Sequence, residues 1–445
     1  MTRLGTRITG FSFNLTTRQT GADMSKIRLG LVGCGGMGHR HLYGLAELHR
    51  TGLCRFEPVV ACDPKTENAE SLAGHVEDHF GIRPAVVASL DEVDASDLQA
   101  VDICTDPRFH HTVCADAASR GWDVMTEKPM GLTVRACRLM REATDGAGRI
   151  LSVAENYRRD PVNRLAKALL DAGVIGTPRY MVHNTAGGSN KMLITVWRHL
   201  KNVSGLLLDV GVHFADILEY FMGPVSDIYA QTRLHEKIRY NDMAGKDPAT
   251  ASRNSPAGVY EHWQAEMPAE FEVTAEDAAY ATLTFQSGAV CQYLEEHATF
   301  GKGFWHRGIY GSSGSMELPG DRSGQPFSIA LEGKTIEGDA LLDLVPDFAL
   351  DEATAALFGG ERMWKYSFPF PETDRKIIAI EYADFAEAID EGRQPEVDGY
   401  MGMRSVAVSY GIMESGQANR AVTMDEIMAD ETNGYQQEIN DSLGI

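Results

Sequence analysis

At 445 residues the chain is too long for one ordinary domain and suits two. Hydrophobic residues make up 43% and charged residues 23%, the balance of a water-soluble protein with a sizeable core. A formal net charge of −22 argues against a nucleic-acid partner and against an anionic membrane surface, because either polyanion repels the chain before contact forms.

The first 23 residues hold Arg3, Arg7, Arg18 and many Thr but no apolar run. Residues 1–24 therefore read as a disordered leader rather than a secretory signal, with Met24-Ser25-Lys26 directly before the first strand. Ile27–Val32 has the apolar run of a strand and Met37–Arg50 the period of a helix; Phe56–Cys62 and Glu67–His79 repeat that pair. Further strands are expected at Ala85–Val87, Ala100–Cys104, Val124–Thr126 and Ile150–Ala154, with helices at His111–Arg120 and Val134–Ala147. Strands alternating with helices imply a parallel sheet covered on both faces, and the rhythm ends near residue 155.

Beyond that point the texture changes. A helix is expected at Pro161–Ala172, a strand at Arg179–Thr185 and a helix at Leu206–Phe221. Much of Val225–Leu318 shows turn-broken alternation, as in Ala279–Phe285, which suits an antiparallel sheet with one face on a core. The polar stretch Leu234–Pro268 breaks this rhythm and reads as an inserted loop. Helical patterns return at Lys376–Glu391 and Gly399–Gly416. No run approaches the ~20 uninterrupted apolar residues of a membrane helix, so a cytoplasmic location is expected. The seven cysteines form no Cys-x-x-Cys pair, and several sit in apolar strand-like runs, which points to buried free thiols in a reducing compartment.

Three motifs carry chemistry. The first is Gly33-Cys34-Gly35-Gly36-Met37-Gly38, which follows a strand and opens a helix, while Asp63 closes the next strand 25 residues after Gly38. Gly33 makes the tight turn, Gly35 lets a pyrophosphate approach the backbone, and Gly38 lets the helix pack on the sheet. Asp63 would accept hydrogen bonds from ribose hydroxyls, favouring NAD over NADP, and nearby Lys65 weakens that preference. The second is Glu127-Lys128-Pro129, at the carboxyl end of a strand, where a doubly wound sheet holds its ligands. Beside an oxidised nicotinamide, the Lys128 pKa would be lowered, fitting it to donate a hydrogen bond or relay a proton; taken alone, the tripeptide also fits a surface turn.

The third is Leu208–Asp216. On a continuous helix, Asp209 and His213 stand at i and i+4 and share a face, so the carboxylate could hold the imidazole in one tautomer as a base. Equally, Asp209 could cap the helix, and Asp216 reads as a packing or surface residue. His39-Arg40-His41 and His110-His111 lack further ligands at suitable spacing, so no metal is expected.

In this order, the motifs resemble the glucose–fructose oxidoreductase, inositol dehydrogenase and rhizopine-catabolism (Gfo/Idh/MocA) family of NAD(P)-dependent sugar oxidoreductases. The resemblance runs from Ile27 to about Asp430. It also includes Pro107, His111, Asn156-Tyr157-Arg158, Trp197-Arg198, Glu276-Asp277-Ala278 and Gly311–Gly314. It implies a Rossmann domain (25–155) with a doubly wound parallel sheet. An α+β domain (156–445) follows, whose large, mostly antiparallel sheet pairs subunits into a homodimer or homotetramer.

The resemblance further implies that Lys128, Asp209 and His213 are catalytic. Gly33, Gly35, Gly36, Met37, Gly38, Asp63, Thr105, Pro107, His111, Glu127, Lys128, Asn156 and Arg198 would hold NAD, or less readily NADP. Lys128, Tyr157, Trp197, Asp209 and His213 would meet a sugar, polyol or glycoside substrate. Two rival readings use the same cleft: a glycosidase that oxidises transiently and recycles NAD, and a non-catalytic dinucleotide sensor. The presence of Lys128, Asp209 and His213 opposes the sensor. Ser204-Gly205 stands where Gly-Gly is common, and Trp122 where Lys is common. The insertion, with Arg253, Tyr260, His262 and Trp263, is longer than usual and leaves the substrate open.

Overall fold

The computed structural model describes residues 26–246 and 263–445. The expected leader, and Arg253, Tyr260 and His262 of the insertion, lie outside the described residues.

Six parallel strands form the first sheet: β1 (Ile27–Val32), β2 (Phe56–Cys62), β3 (Ala85–Val87), β4 (Ala100–Ile103), β5 (Asp123–Glu127) and β6 (Leu151–Ala154). Their order is β3-β2-β1-β4-β5-β6, with every register parallel. Helices α1 (Gly36–Thr51), α2 (Thr66–Phe80), α3 (His110–Ser119) and α4 (Val134–Ala147) make the crossovers. Strands β4, β5 and β6 are buried at every position, as expected of strands covered on both faces. Strand order reverses between β1 and β4, which opens a crevice at their carboxyl ends.

The glycine turn sits at that crevice. Gly33 has φ +92°, and a Cβ there would lie 2.6 Å from the Cys104 backbone carbon. A Cβ on Gly38 would lie 2.2 Å from the Gly33 carbonyl oxygen. Gly38→Ala is therefore expected to push α1 off the turn. Overpacking costs about 1–3 kcal/mol, so NAD affinity should fall about tenfold and the melting temperature should drop. Calorimetric titration and thermal melts check this, and an unchanged affinity would contradict it.

Helix α5 (Pro161–Asp171) leads into the second sheet, built from β7 (Pro178–Ala186), β8 (Val225–Arg233), β11 (Ala278–Phe285), β12 (Val290–Glu296), β13 (Phe304–Gly311), β14 (Gly314–Leu318), β15 (Ser328–Leu331), β16 (Lys334–Glu337) and β17 (Val422–Thr423). The order is β16-β15-β14-β13-β7-β12-β11-β8-β17, antiparallel throughout except for the β12–β7 pair. Along β11, Ala279, Ala281, Leu283 and Phe285 are buried while Tyr280 is exposed, matching the expected alternation. The helix Gly399–Ala418 packs on β8 and closes the core over the inner face. All seven cysteines are buried and free. Among the described residues, no helix is long and apolar enough to cross a membrane.

Two expectations need correction. The helix expected over Leu206–Phe221 is broken: α6 (Leu206–Asp209) ends at Val210, and α7 (Gly211–Met222) begins after it. The insertion is not all loop. Its strand β9 (Ile238–Tyr240) pairs with β10 (Glu270–Glu272), just past its end, and residues 263–266 are helical. Arg239 is the anchor that polarity alone did not suggest. It is 1% exposed, pairs with Asp277 at 3.1 Å and donates to the Ser189 and Lys191 carbonyls.

The long helix Phe370–Glu391 returns to pack on α1, tying the C-terminal part of the chain to the first sheet. Arg40 pairs with Asp374 at 2.7 Å, and the Tyr382 hydroxyl donates to Asp102, which also faces His41 at 3.0 Å. His41 Nε2 stands 3.6 Å from Glu127. Beside this network Glu381 is buried with neither carboxyl oxygen hydrogen-bonded among the described residues. Burial, then Glu127 and Glu155, push its carboxyl up to about 8 against the pull of His41 and Arg159.

The folded state thus holds this proton at pH values where the unfolded chain has released it. The contribution to stability is full below the ordinary glutamate range and is lost as pH rises through about 8. Glu381→Gln keeps a neutral group there. Its melting temperature should fall less than that of the natural chain between about pH 5 and about pH 9. Parallel melting curves across that range would refute this.

Candidate functional site

A cavity of about 580 Å³ runs from the glycine turn across the carboxyl ends of β4 and β5 to the second sheet's loops. At one end are Gly35, Gly36 and Met37. Helix α1 follows Gly35 at its N-cap, with no side-chain cap and no acid in its first turn. Its leading N–H groups and the positive end of its dipole are therefore left for an anion. A Cβ on Gly35 would meet nothing within 4 Å, so the space over the turn is open. This cradle fits a dinucleotide pyrophosphate.

Of the other residues expected to hold the dinucleotide, Thr105, Pro107, Glu127, Lys128, Asn156 and Arg198 line the cavity. Gly33, Gly38, Asp63 and His111 do not line it. Asp63 accepts the Cys34 N–H at 2.8 Å and the Lys65 N–H at 2.8 Å, fixing the turn to the end of β2. Lys65 and Asn68 reach the wall beside it. His110 rather than His111 reaches the wall. Its ring faces the Thr105 carbonyl at 3.0 Å and the Pro129 carbonyl at 3.1 Å, joining the loops after β4 and β5.

At the far end Lys128, Tyr157, Trp197, Asp209 and His213 come together, but with different partners from those expected. The Lys128–Pro129 peptide is cis. Lys128 Nζ donates to the Asp209 carbonyl at 2.9 Å and to its Oδ1 at 3.1 Å, while Arg198 donates to Oδ2. Burial pushes the Asp209 carboxyl up, yet Arg198 and Lys128 hold it well below the usual carboxylate range. Asp209 is thus a fixed anion clamped by two cations.

It does not hold His213. Between them the helix is interrupted at Val210, where the His213 N–H bonds back only three residues, to the Val210 carbonyl at 3.1 Å. Glu155, just past β6, takes its place: its carboxylate oxygens lie 2.7 and 2.8 Å from His213 Nδ1. Glu155 also accepts the Asn156 and Tyr157 N–H groups at 2.9 and 3.2 Å. Burial raises its carboxyl, but His213, then the Tyr157 amide and Lys128, outweigh that and hold it below the usual range. Burial likewise holds His213 below the usual imidazole range against the pull of Glu155. The arrangement is a glutamate anion accepting Nδ1–H from a neutral ring, with Nε2 left to accept a proton. Tyr157 fixes the ring plane, stacked at 4.4 Å and 7°. Asp216 packs as a buried bidentate partner of Arg158, at 2.8 and 2.5 Å.

Sequence reasoning missed Glu155, Arg322 and Phe370, all of which shape this end of the cleft. Glu155 is 58 residues from His213, and Arg322 and Phe370, the latter at the start of the long helix Phe370–Glu391, come from far later in the chain, so no local spacing links them. Glu155 does directly follow a strand expected to belong to the sheet, and that position was the available signal.

A dinucleotide cradle opening onto a neutral, carboxylate-held imidazole equips a nicotinamide-dependent dehydrogenase that acts on CH–OH groups. Residues 27–155 match the profile of an oxidoreductase family with an NAD-binding Rossmann fold, and residues 167–424 match that family's C-terminal α/β domain. The chain belongs to the Gfo/Idh/MocA family. It is 25% identical to the levoglucosan dehydrogenase of Pseudarthrobacter phenanthrenivorans, over 91% of this chain and 100% of that enzyme. It is 29% identical to the D-apiose dehydrogenase of Paraburkholderia graminis, over 54% of this chain and 60% of that one. Among solved structures, levoglucosan dehydrogenase in complex with NADH and levoglucosan shares the fold. The TM-score is 0.68 and the identity 22%, over 90% of this chain and 100% of that one.

Proposed function

We propose that this enzyme oxidises a secondary hydroxyl of a sugar, cyclitol or glycoside, using NAD in preference to NADP. The observation that carries the reading is the Glu155–His213 pair opening into the same cavity as the glycine turn and Lys128. When bound, the nicotinamide supplies the hydride acceptor. His213 Nε2 takes the hydroxyl proton, and Glu155 stabilises the imidazolium that results. Lys128, positioned by Asp209, donates to the substrate oxygen as it loses that proton. Tyr157, held between His213 and Arg322, and Trp197 line the space left for the substrate. Full-length similarity to levoglucosan dehydrogenase supports a carbohydrate substrate.

Asp63 at the end of β2 favours unphosphorylated ribose, the reason for preferring NAD. A homodimer or homotetramer forms through the outer face of the second sheet, where Tyr180, Tyr229 and Tyr280 are exposed. Light scattering on the purified chain tests that assembly.

The reaction is tested with sugars, inositols and glycosides, NAD and NADP, reading both NAD(P)H and released aglycone. Sustained NADH formation is the expected result. Aglycone release without NADH would replace the reading with the recycling glycosidase, and tight NAD binding with no turnover across the panel would replace it with the sensor.

A further inference from the structure

The two ends of the substrate side of the cleft differ in chemistry. Around the reacting centre the wall is polar, made by Lys128, Asn156, Arg198, Asp209 and His213. The rest of this lining includes an apolar set: Leu193 and Trp197 remain 37% and 38% exposed, and Ile194 and Trp263 belong to the same lining. Large apolar side chains gathered around one opening mark a surface that something covers.

The fold also fixes this wall in place. Ile194 has φ +60°, an unusual conformation for a β-branched residue. Its carbonyl accepts a hydrogen bond from Gln264 Nε2 at 2.7 Å, and the Leu193 N–H donates to His199 Nε2 at 3.0 Å. Gln264 is itself seated through its carbonyl, which accepts from Asn241 Nδ2 at 2.8 Å. Trp263, Gln264 and Asn241 all belong to the insertion between the strands of the second sheet, so its described residues contribute to this wall.

Building on the proposed dehydrogenase reading, we propose that the substrate is a glycoside with an apolar aglycone. The sugar hydroxyl meets Lys128 and His213, and the aglycone lies against Leu193, Ile194, Trp197 and Trp263. A free sugar or cyclitol carries hydroxyls around its whole ring, and those facing this wall would lose water without gaining a partner. An apolar aglycone gains by the same contact. The chemistry stays on the sugar: the carbinol C–H leaves as hydride to the dinucleotide, the O–H proton goes to His213, a C=O forms, and the glycosidic bond stays intact. Gln264 acts as a positioning residue that sets Ile194 against the aglycone.

The test uses the full chain with NAD and a set of hexoses and pentoses, each as free sugar, methyl glycoside and 4-nitrophenyl glycoside. NADH and 4-nitrophenol are read separately. For the accepted sugar, kcat/KM should rise about tenfold or more from free sugar to 4-nitrophenyl glycoside, chiefly through KM. In Trp263→Ala and Gln264→Leu the ratio of the two kcat/KM values should collapse toward one. NADH formation with a natural-chain ratio of one or less overturns the aglycone site and leaves the dehydrogenase standing. A ratio that persists in both variants overturns the assignment to these residues. NADH from no substrate, with no 4-nitrophenol released, overturns the dehydrogenase and the aglycone site together. Release of 4-nitrophenol without NADH overturns the dehydrogenase while supporting the aglycone site.

Discussion

Replacing Lys128 by Ala should lower kcat/KM by about 10²–10⁴-fold, the range expected for a positioned proton-transfer or hydrogen-bonding group, while NAD affinity stays nearly intact. The separation follows from the geometry. Lys128 Nζ spends both of its hydrogen bonds on Asp209, and the phosphate cradle is built from backbone at the start of α1. Loss of the ammonium leaves Asp209 with Arg198 alone, so the variant should also melt at a lower temperature than the natural chain. Lys128→Arg should not restore turnover, because a planar guanidinium cannot take the place of a compact ammonium between a carbonyl and a carboxylate oxygen. Steady-state kinetics, calorimetric NAD titration and a melt on the same samples separate these effects. Near-normal turnover in Lys128→Ala would remove the lysine from the reaction.

How much of this was readable beforehand differs between scaffold and site. The parallel sheet and the fingerprint turn were legible because both depend on local pattern: apolar runs at strand length, helical period, and glycines at fixed offsets. The arrangement of the second sheet was not. Strand β7 enters between β12 and β13, far from its neighbours in sequence, and no alternation pattern encodes that partner. At the site, residue types were easier to read than partners. Asp209, His213 and Lys128 do converge, yet the i, i+4 argument paired the first two on a helix that the chain breaks at Val210. Tertiary contact paired Asp209 with Lys128 and Arg198, and gave His213 to a glutamate from another strand end. The insertion behaved similarly: its polarity suggested a loop, while buried Arg239 binds Asp277, and Asn241 holds Gln264, next to Trp263 in the cleft lining.

That exchange of partners yields the sharpest contrast between variants. Glu155→Gln should cost about 10²–10⁴-fold in kcat, whereas the sequence pairing assigned that effect to Asp209. A glutamine amide can donate to His213 Nδ1, which moves the ring proton to Nε2 and removes the base from the cleft. In the serine-protease triad an acid-to-amide change of this kind costs about 10⁴-fold for the same reason. Asp209→Asn leaves Glu155 in contact with His213 and instead loosens Lys128 and Arg198, so the ring keeps its tautomer.

The two losses have different pH signatures. In the natural chain kcat/KM should rise with pH as His213 loses its proton, with a midpoint below the ordinary imidazole value because burial disfavours the charged ring. Asp209→Asn should keep that limb at reduced height, and Glu155→Gln should lose it. A merely structural glutamate would lower the amount of folded enzyme without changing the shape of the profile. If Glu155→Gln retains both the limb and a kcat within about threefold of the natural chain, Glu155 does not orient the base.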